Sequence, residues 1–205
     1  MVFKGLTRNI ILLGTVSLLT DISSQMVFPL VPLFLMTVLG TGASIVGIVE
    51  GAAETTASIL KVISGYWSDK IEKRKPFIFM GYSLSTLTKP LFALASTWHF
   101  VLFARVLERI GKGLRSAPRD ALVAESSNDN VIGKAYGFQR SMDGIGSILG
   151  ALLAFTLLPS LGYRNIFLLA FIPGVLAILI IPLLREKKTK KRKVNVSYEA
   201  NFTKL

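Results

Sequence analysis

The sequence predicts an all-α membrane protein with six transmembrane helices and both termini in the cytoplasm. Of its 205 residues, 51% are hydrophobic, and the mean hydropathy is +0.55. Uncharged runs such as FPLVPLFLMTVLG and IFLLAFIPGVLAILIIPLL are too long and too apolar for an ordinary surface helix. Connections rich in charge alternate with connections that lack it. Together these three features are typical of a helical bundle that crosses a membrane repeatedly.

The apolar runs divide the chain into one bundle and two ends. A helix that crosses a bilayer needs about 20 residues at about 1.5 Å each. This criterion predicts spans at residues 9–36, 43–67, 76–97, 98–117, 134–158 and 165–184. Residues 1–8 then form a short cytoplasmic N-terminus. Residues 185–205 form a basic cytoplasmic tail that we expect to be disordered.

The distribution of basic residues predicts the orientation of the bundle. Lys4, Arg8, the loop at 70–75 and the tail all fall on one side, and Arg164 is the clear basic residue on the other. The positive-inside rule predicts that the basic side faces the cytoplasm. We expect the membrane to be the plasma membrane of the cell. The net charge of +12 is then explained by topology and by anionic lipid, so no nucleic-acid partner is needed.

Several kinds of enzyme and metal site are excluded by composition. The chain has no cysteine and one histidine, His99, so thiolate chemistry and histidine-cluster metal sites are ruled out. The GKG at Gly111 is not a phosphate loop, because its upstream glycine and the following Ser or Thr are missing. We therefore expect neither an enzyme nor a bound cofactor or metal.

The charged loop between the second and third spans carries a family resemblance. It reads GYWSDKIEKRKP, and it resembles the signature loop of the major facilitator superfamily, roughly G-x-L-(A/S)-D-R-x-G-R-(K/R)-x. The residues that match directly, or that keep a positive charge, are Gly65, Ser68, Asp69, Lys70, Lys73 and Arg74. Trp67 replaces the family's leucine. Glu72 replaces its second glycine, which normally supplies a permissive φ angle.

Two further helices support the same resemblance in part. In RVLERIGKGLRSAPRD, Arg105, Gly111 and Gly113 match the fourth-helix pattern of the family, while Glu108 stands where Gln is usual and Arg109 where Gly is usual. The resemblance assigns Asp120 to a cytoplasmic charge relay with the loop's Asp and Arg. In the fifth helix, DGIGSILGALLA resembles an antiporter packing motif through Gly146 and Gly150, although Ala151 replaces its proline.

The resemblance implies a fold and a function. Members of the superfamily consist of two six-helix halves, so the chain corresponds to the first half of the twelve-helix major facilitator fold. The implied function is secondary active transport of a small solute by alternating access, as a permease or efflux protein in truncated or half-length form. A partner would be a second half-transporter or a second copy of the chain. The alternative is a non-transporting remnant, or a subunit that only pairs with another half.

Charged residues within the spans are the candidate site residues. A charge at the bilayer centre costs about 2.5–3.5 kcal/mol on insertion scales, so such residues are normally paired or line a watery cavity. The predicted cavity or coupling residues are Asp21, Gln25, Glu54, Arg105, Glu108, Arg109 and Lys112. The predicted cytoplasmic gate comprises Gly65, Asp69, Lys70, Lys73, Arg74, Arg115, Arg119 and Asp120. The excess of Arg and Lys on the fourth helix favours an anionic or zwitterionic substrate.

Overall fold

A computed structural model describes residues 5–186, which fold into a bundle of α-helices. The predicted tail from residue 187 onwards lies outside the described residues. The helices, in chain order, are α1 (Arg8–Gln25), α2 (Leu30–Thr37), α3 (Ala43–Ile71), α4 (Lys75–Leu94), α5 (Trp98–Glu125), α6 (Ile132–Leu169) and α7 (Phe171–Ile180). Short 3₁₀ turns cover Asp129–Val131 and Ile181–Leu183.

The predicted first span consists of two helices, α1 and α2, separated by a turn. Residues 26–29 separate α1 from α2, and the amides of Val27 and Phe28 both donate to the carbonyl of Ser24. Pro29 follows directly and has no N–H to donate, so the helical ladder cannot run through unbroken. The two helices still make one apolar path, Arg8–Thr37, long enough to cross a membrane. The turn matters below because it holds Phe28 inside the bundle.

A glycine divides α6 into two arms. Gly162 has φ 70° and ψ 169°, a backbone conformation that residues with a Cβ atom rarely adopt, and the chain changes direction there. The first arm, residues 132–161, corresponds to the predicted fifth span. The second arm continues through α7 to Leu183 and corresponds to the predicted sixth span.

Within residues 5–186, four stretches are long and apolar enough to cross a membrane. They are Arg8–Thr37, Ala43–Ile71, Lys75–Leu94 and Ile132–Leu183. The last covers 52 residues and includes the Gly162 turn. Helix α5 is absent from this set because of the charged residues along its length. A helical membrane fold is thus confirmed, whereas six crossings and the orientation of the ends stay predictions.

The two ends of the described chain meet at one end of the bundle. The Asn9 side chain donates to the carbonyl of Arg185 at 2.5 Å and accepts from its amide at 3.1 Å. At the start of α4, the Lys75 ammonium donates to the carbonyls of Pro182 at 2.7 Å and Leu184 at 3.0 Å. The start of α1, the start of α4 and the end of the last helix are therefore neighbours.

Two apolar clusters lie at opposite ends of the bundle, with a polar layer between them. One cluster is centred on Phe34, Phe92 and Phe167, whose rings meet edge to face at 5.5 and 6.0 Å. The other is built around Ile10, Ile78 and other residues near the chain ends. Buried side chains of the polar layer include Ser24, Ser64, Ser85, Thr88, Lys89, Arg105, Glu108, Arg109 and Arg115. The polar layer is where the candidate site forms.

Glycines set the closest contacts between helices. A Cβ atom on Gly81 would lie 2.6 Å from the carbonyl oxygen of Gly111, and one on Gly111 would lie 2.6 Å from that of Gly81. On the α1–α6 contact, a Cβ on Gly146 would lie 2.5 Å from the Leu18 carbonyl. One on Gly150 would meet the Ile22 carbonyl at the same distance. Small residues of this kind let membrane helices approach backbone to backbone.

Replacing Gly150 with alanine is expected to lower the free energy of unfolding by about 1–3 kcal/mol, because the new methyl group would overlap backbone atoms of α1. Gly144 lies on the same helix with no atom within 4 Å of its Cβ position, so Gly144→Ala is the matched control. That control should gain about 0.5–1 kcal/mol from helix propensity. Unfolding of both variants in mixed detergent micelles measures the difference, and equal gains would contradict the close α1–α6 contact.

Candidate functional site

The charged residues of α5 form one stripe along the helix. They follow spacings of three and four residues, which places them on one face. The members are Arg105, Glu108, Arg109, Lys112, Arg115 and Arg119. Arg105, Glu108, Arg109 and Arg115 are buried in the bundle. The stripe therefore points inward, towards α1, α3, α4 and α6.

Ion pairs join the N-terminal part of this stripe to α3. The guanidinium of Arg105 binds Glu50 through two hydrogen bonds, Nε to Oε1 at 3.1 Å and Nη2 to Oε2 at 2.7 Å. One turn further, Arg109 Nη2 lies 3.4 Å from Glu54 Oε2. Two-point contact between guanidinium and carboxylate is the strong form of this pair, so Arg105 is the firmer link between α3 and α5.

Glu108 lies between the two arginines, with no solvent exposure. Its Oε2 atom is 3.5 Å from Arg105 Nη1 and 3.6 Å from Arg109 Nε. Its Oε1 atom accepts no hydrogen bond from the described residues. Glu108 is thus a buried carboxylate shared by two guanidinium groups. It supports the cavity described below but does not line it.

Three cations surround the aromatic ring of Phe28. The Arg105 guanidinium carbon lies 4.0 Å from the ring centroid, the Lys89 ammonium 4.4 Å, and the Arg109 guanidinium carbon 5.2 Å. Lys89 is fully buried, and its ammonium donates to Ser24 Oγ at 3.3 Å. No sequence pattern singled out Phe28 or Lys89 for this role, because the cluster forms only when the α1–α2 turn packs against α4 and α5.

A cavity of about 580 Å³ opens along the stripe. Four helices line it, α1, α3, α5 and α6, and its charged residues are six basic and four acidic. These are Asp21, Glu54, Lys61, Arg109, Lys112, Arg115, Arg119, Asp120, Arg140 and Asp143. Ser24, Gln25, Ser58, Ser116 and Ser147 add polar groups. The volume and polarity suit a small, charged ligand.

The predicted residues divide between the cavity and its supports. Asp21, Gln25, Glu54, Arg109 and Lys112 line the cavity, whereas Arg105 and Glu108 lie behind it in the ion-pair cluster. Three residues predicted for the cytoplasmic gate, Arg115, Arg119 and Asp120, line the same cavity.

Arg119 connects three helices at the end of the cavity that lies near the C-terminus of α5. Its guanidinium binds Asp120 Oδ1 at 3.1 Å, Ser17 Oγ of α1 at 3.2 Å and lies 3.5 Å from Asp143 Oδ1 of α6. Gln139 donates to Asp143 at 3.4 Å and to Ser17. Gln139 and Asp143 lie one turn apart on α6, a spacing visible in the sequence, but only the fold brings them to Arg119.

Arg74 is the hub of the signature loop. Its guanidinium pairs with Asp69, donates to Ser68 Oγ at 2.9 Å, and donates twice to Glu125 Oε1 at 3.1 Å. Glu125, at the end of α5, thus stands where the resemblance led us to expect Asp120, which instead pairs with Arg119. Asp120 lies more than one turn before Glu125 on α5, so the two carboxylates serve different arginines.

The remaining loop residues lie around this hub. Glu72 adopts the left-handed conformation, φ 57° and ψ 29°, at the end of α3, where the family pattern has glycine. Lys70 and Lys73 are exposed, with the Lys70 ammonium 6.0 Å from the Trp67 ring. A Cβ on Gly65 would lie 3.3 Å from the Cβ of Ala117, so this glycine lies at the α3–α5 contact.

Arg74→Gln is expected to lower the free energy of unfolding by about 1–2 kcal/mol, because it removes two ion pairs from a largely buried guanidinium. The loss is limited by Asp69, whose side chain is 67% exposed. Lys73→Gln is the matched control in the same loop, and its effect should stay within about 0.5 kcal/mol. Equal losses in the two variants, measured by unfolding in detergent, would contradict the assignment of Arg74 as the hub.

Comparison with known proteins identifies the family. The sequence profile of the Major Facilitator Superfamily matches residues 13–205. The chain belongs to the Major Facilitator Superfamily. This membership places the chain in a family of membrane proteins.

The chain is similar to parts of several longer proteins. An uncharacterized MFS-type transporter of Methanocaldococcus jannaschii is 40% identical over 186 residues, covering 90% of this chain and 46% of the relative. The multidrug resistance protein MdtH of Blochmanniella pennsylvanica is 30% identical over 137 residues, covering 67% of this chain and 35% of the relative. The chain thus spans less than half of the length of these curated relatives.

A solved structure shares the fold. The crystal structure of a mutant of the peptide transporter POT, in complex with sulfate, superposes with a TM-score of 0.78 at 15% identity. The match covers 87% of this chain and 38% of that chain. The superposition shows that the two proteins share a helix arrangement.

Proposed function

We propose that the chain forms the first six-helix half of a secondary active transporter that moves a small solute by alternating access. The observation that carries the proposal is the charged cavity inside apolar helices. Isolated charges at membrane depth are costly, so ten ionisable groups around one cavity suit a water-filled solute pathway better than a purely structural role. The supporting cluster of Arg105, Glu108 and Glu50 keeps the cavity wall in place.

Six crossings are part of this proposal. Helix α5 counts as a crossing although it is charged, because its buried charges meet partners inside the bundle and its outward face carries residues such as Phe103. The contact between Asn9 and Arg185 supports an even number of crossings between them. The positive-inside rule then favours a plasma-membrane protein with both ends in the cytoplasm.

Gate and coupling roles follow from the contacts. Arg74 ties the loop after α3 to the end of α5, and Arg119 ties α5 to α1 and α6. Opening the cytoplasmic side would have to break these contacts, so both arginines are proposed as gate residues. Asp21, Gln25, Glu54, Arg109 and Lys112 are proposed as the residues that meet the solute or a coupling ion.

An open face on α3 and α6 supports the need for a partner. Glu54 lines the cavity but is 63% exposed, and Gly47 and Gly51 of α3 have no neighbour within 4 Å of their Cβ positions. Apolar side chains such as Ile148 and Leu152 of α6 are exposed beside it. We propose that a second six-helix half, or a second copy of the chain, covers this face. If the chain pairs without moving solute, it is a non-transporting subunit.

The size of the purified complex and uptake into proteoliposomes together test the proposal. A complex of at least two six-helix units is expected, with saturable uptake from a mixture of labelled small amino acids, carboxylates and amines. Empty liposomes provide the baseline. A monomer in detergent that supports no uptake above this baseline would contradict transport by the chain.

A further inference from the structure

We infer that the cavity is built for a small amphoteric solute, which places a cationic group on Asp21 of α1 and an anionic group on the basic side chains of α3 and α5. This inference rests on the proposed function and narrows its substrate class. It comes from the charged residues of the cavity that have no ion-pair partner.

One of the four acidic residues lining the cavity lacks a partner. Glu54, Asp120 and Asp143 each lie within 4 Å of an arginine. Asp21 makes no ion pair and no hydrogen bond with residues 5–186, although it faces the cavity from α1. Its electrostatic neighbours are Asp143, Lys112, Arg115 and Arg119, all from α5 or α6. The carboxylate of Asp21 is therefore available to a ligand.

Three of the six basic residues also lack a carboxylate. Arg115 donates to Ser85 Oγ at 2.6 Å and stacks at 4.5 Å on the Tyr82 ring, which orients its guanidinium without neutralising it. Lys61, which is exposed, and Lys112 make no ion pair within residues 5–186, and the carboxylates that act on Lys112, Glu54 and Glu108, lie beyond ion-pair distance. These groups occupy the α3 and α5 walls, whereas Asp21 occupies the α1 wall.

A ligand between these walls meets opposite charges on its two sides. A simple anion would satisfy the basic walls but would face the unpaired carboxylate of Asp21. A simple cation would satisfy Asp21 but would face three basic groups that have no carboxylate within ion-pair distance. Since burying an unpaired charge is costly, a solute that carries both signs matches the cavity best. A volume of about 580 Å³ leaves room for a small amino acid or a short ω-amino acid.

Binding of a charge-matched series to the purified chain tests this inference. The probes are ω-amino acids from glycine to 6-aminohexanoate, together with butanoate, succinate and butylammonium, at equal ionic strength. Thermal unfolding in detergent reports binding, because a ligand that binds the folded state raises the unfolding temperature. We expect one or more amino acids to raise it by several degrees, while the simple ions raise it by less.

Variants that change which ligand binds better distinguish the loss of a specific contact from misfolding. Asp21→Asn should reverse the preference, so that butanoate stabilises this variant more than 4-aminobutanoate does. Lys112→Gln should weaken amino-acid and butanoate binding alike, and Lys73→Gln, outside the cavity, should leave the series unchanged. An unreversed preference in Asp21→Asn, equal stabilisation by succinate, or no stabilisation by any probe would overturn the inference.

This experiment separates the two proposals. Binding in detergent requires no flux, so selective amino-acid binding without uptake would refute transport and keep the inference. Uptake of simple anions without amino-acid binding would do the reverse.

Discussion

Replacing Glu108 with glutamine should lower the free energy of unfolding by about 3–5 kcal/mol, the largest effect expected of a single substitution in the ion-pair cluster behind the cavity. The carboxylate has no solvent exposure and lies within 3.6 Å of both Arg105 and Arg109. Glutamine keeps its size and removes its charge. Two buried guanidinium groups would then share less negative charge, in surroundings where water cannot replace it. Unfolding in mixed detergent micelles measures the loss.

Glu54→Gln is the matched control for this prediction. It removes a carboxylate from the same Arg109, but the Glu54 side chain is 63% exposed, so the loss should stay below about 1 kcal/mol. Glu108→Gln combined with Arg109→Gln removes one charge of each sign, and it should be less destabilised than Glu108→Gln alone. If the double variant is instead as unstable as the sum of the single variants, the two residues do not act as a pair.

Phe28→Leu should cost about 2 kcal/mol or more, because the ring has three cations within 5.2 Å and leucine offers them no π face. A cation–π contact contributes about 0.5–1 kcal/mol at an exposed site and about 2 kcal/mol or more when desolvated, and the three contacts are not additive. Leucine keeps the apolar character of the site, so the loss reports the ring more than the burial. The same unfolding measurement applies.

Two controls isolate the ring of Phe28. Phe28→Tyr keeps the aromatic face and should lose clearly less than Phe28→Leu. Phe103→Leu makes the same chemical change at a side chain that is largely exposed on α5, and it should be nearly neutral. A loss in Phe28→Tyr as large as in Phe28→Leu would show that the cations do not depend on the aromatic face.

Length and apolar content predicted a span for every helical path, including the charged α5, because membrane spans are apolar over most of their length. Helix α5 was predicted to end at residue 117, before Pro118, yet it continues to Glu125. Pro118 removes only one backbone N–H donor from the helix. The charged turns after Pro118 are stabilised by partners on other helices, and these partners cannot be recognised from the sequence of α5 alone.

The candidate site was predicted in its types of residue more than in its contacts. Depth and spacing nominated Arg109 and Lys112, and both line the cavity. Glu125 and Phe28 were not predicted as site residues, because the partner of each is distant in sequence. Glu125 binds Arg74, and Phe28 packs against Arg105. The turn at Glu72 was indicated only by the family pattern, which has glycine at this position, since glutamate itself does not favour the left-handed conformation that Glu72 adopts.

Labelling a cysteine at Ser147 from each side of the membrane tests the proposed solute pathway most directly. The chain has no native cysteine, and Ser147 lines the cavity from α6. Alternating access predicts that a membrane-impermeant thiol reagent labels Ser147→Cys in intact cells and also in inside-out vesicles, with reaction from one side blocking reaction from the other. Leu87→Cys, at an exposed apolar position of α4 away from both the cavity and the open face, should stay unlabelled in both. Labelling of Ser147→Cys from one side alone, or from neither, would contradict the pathway.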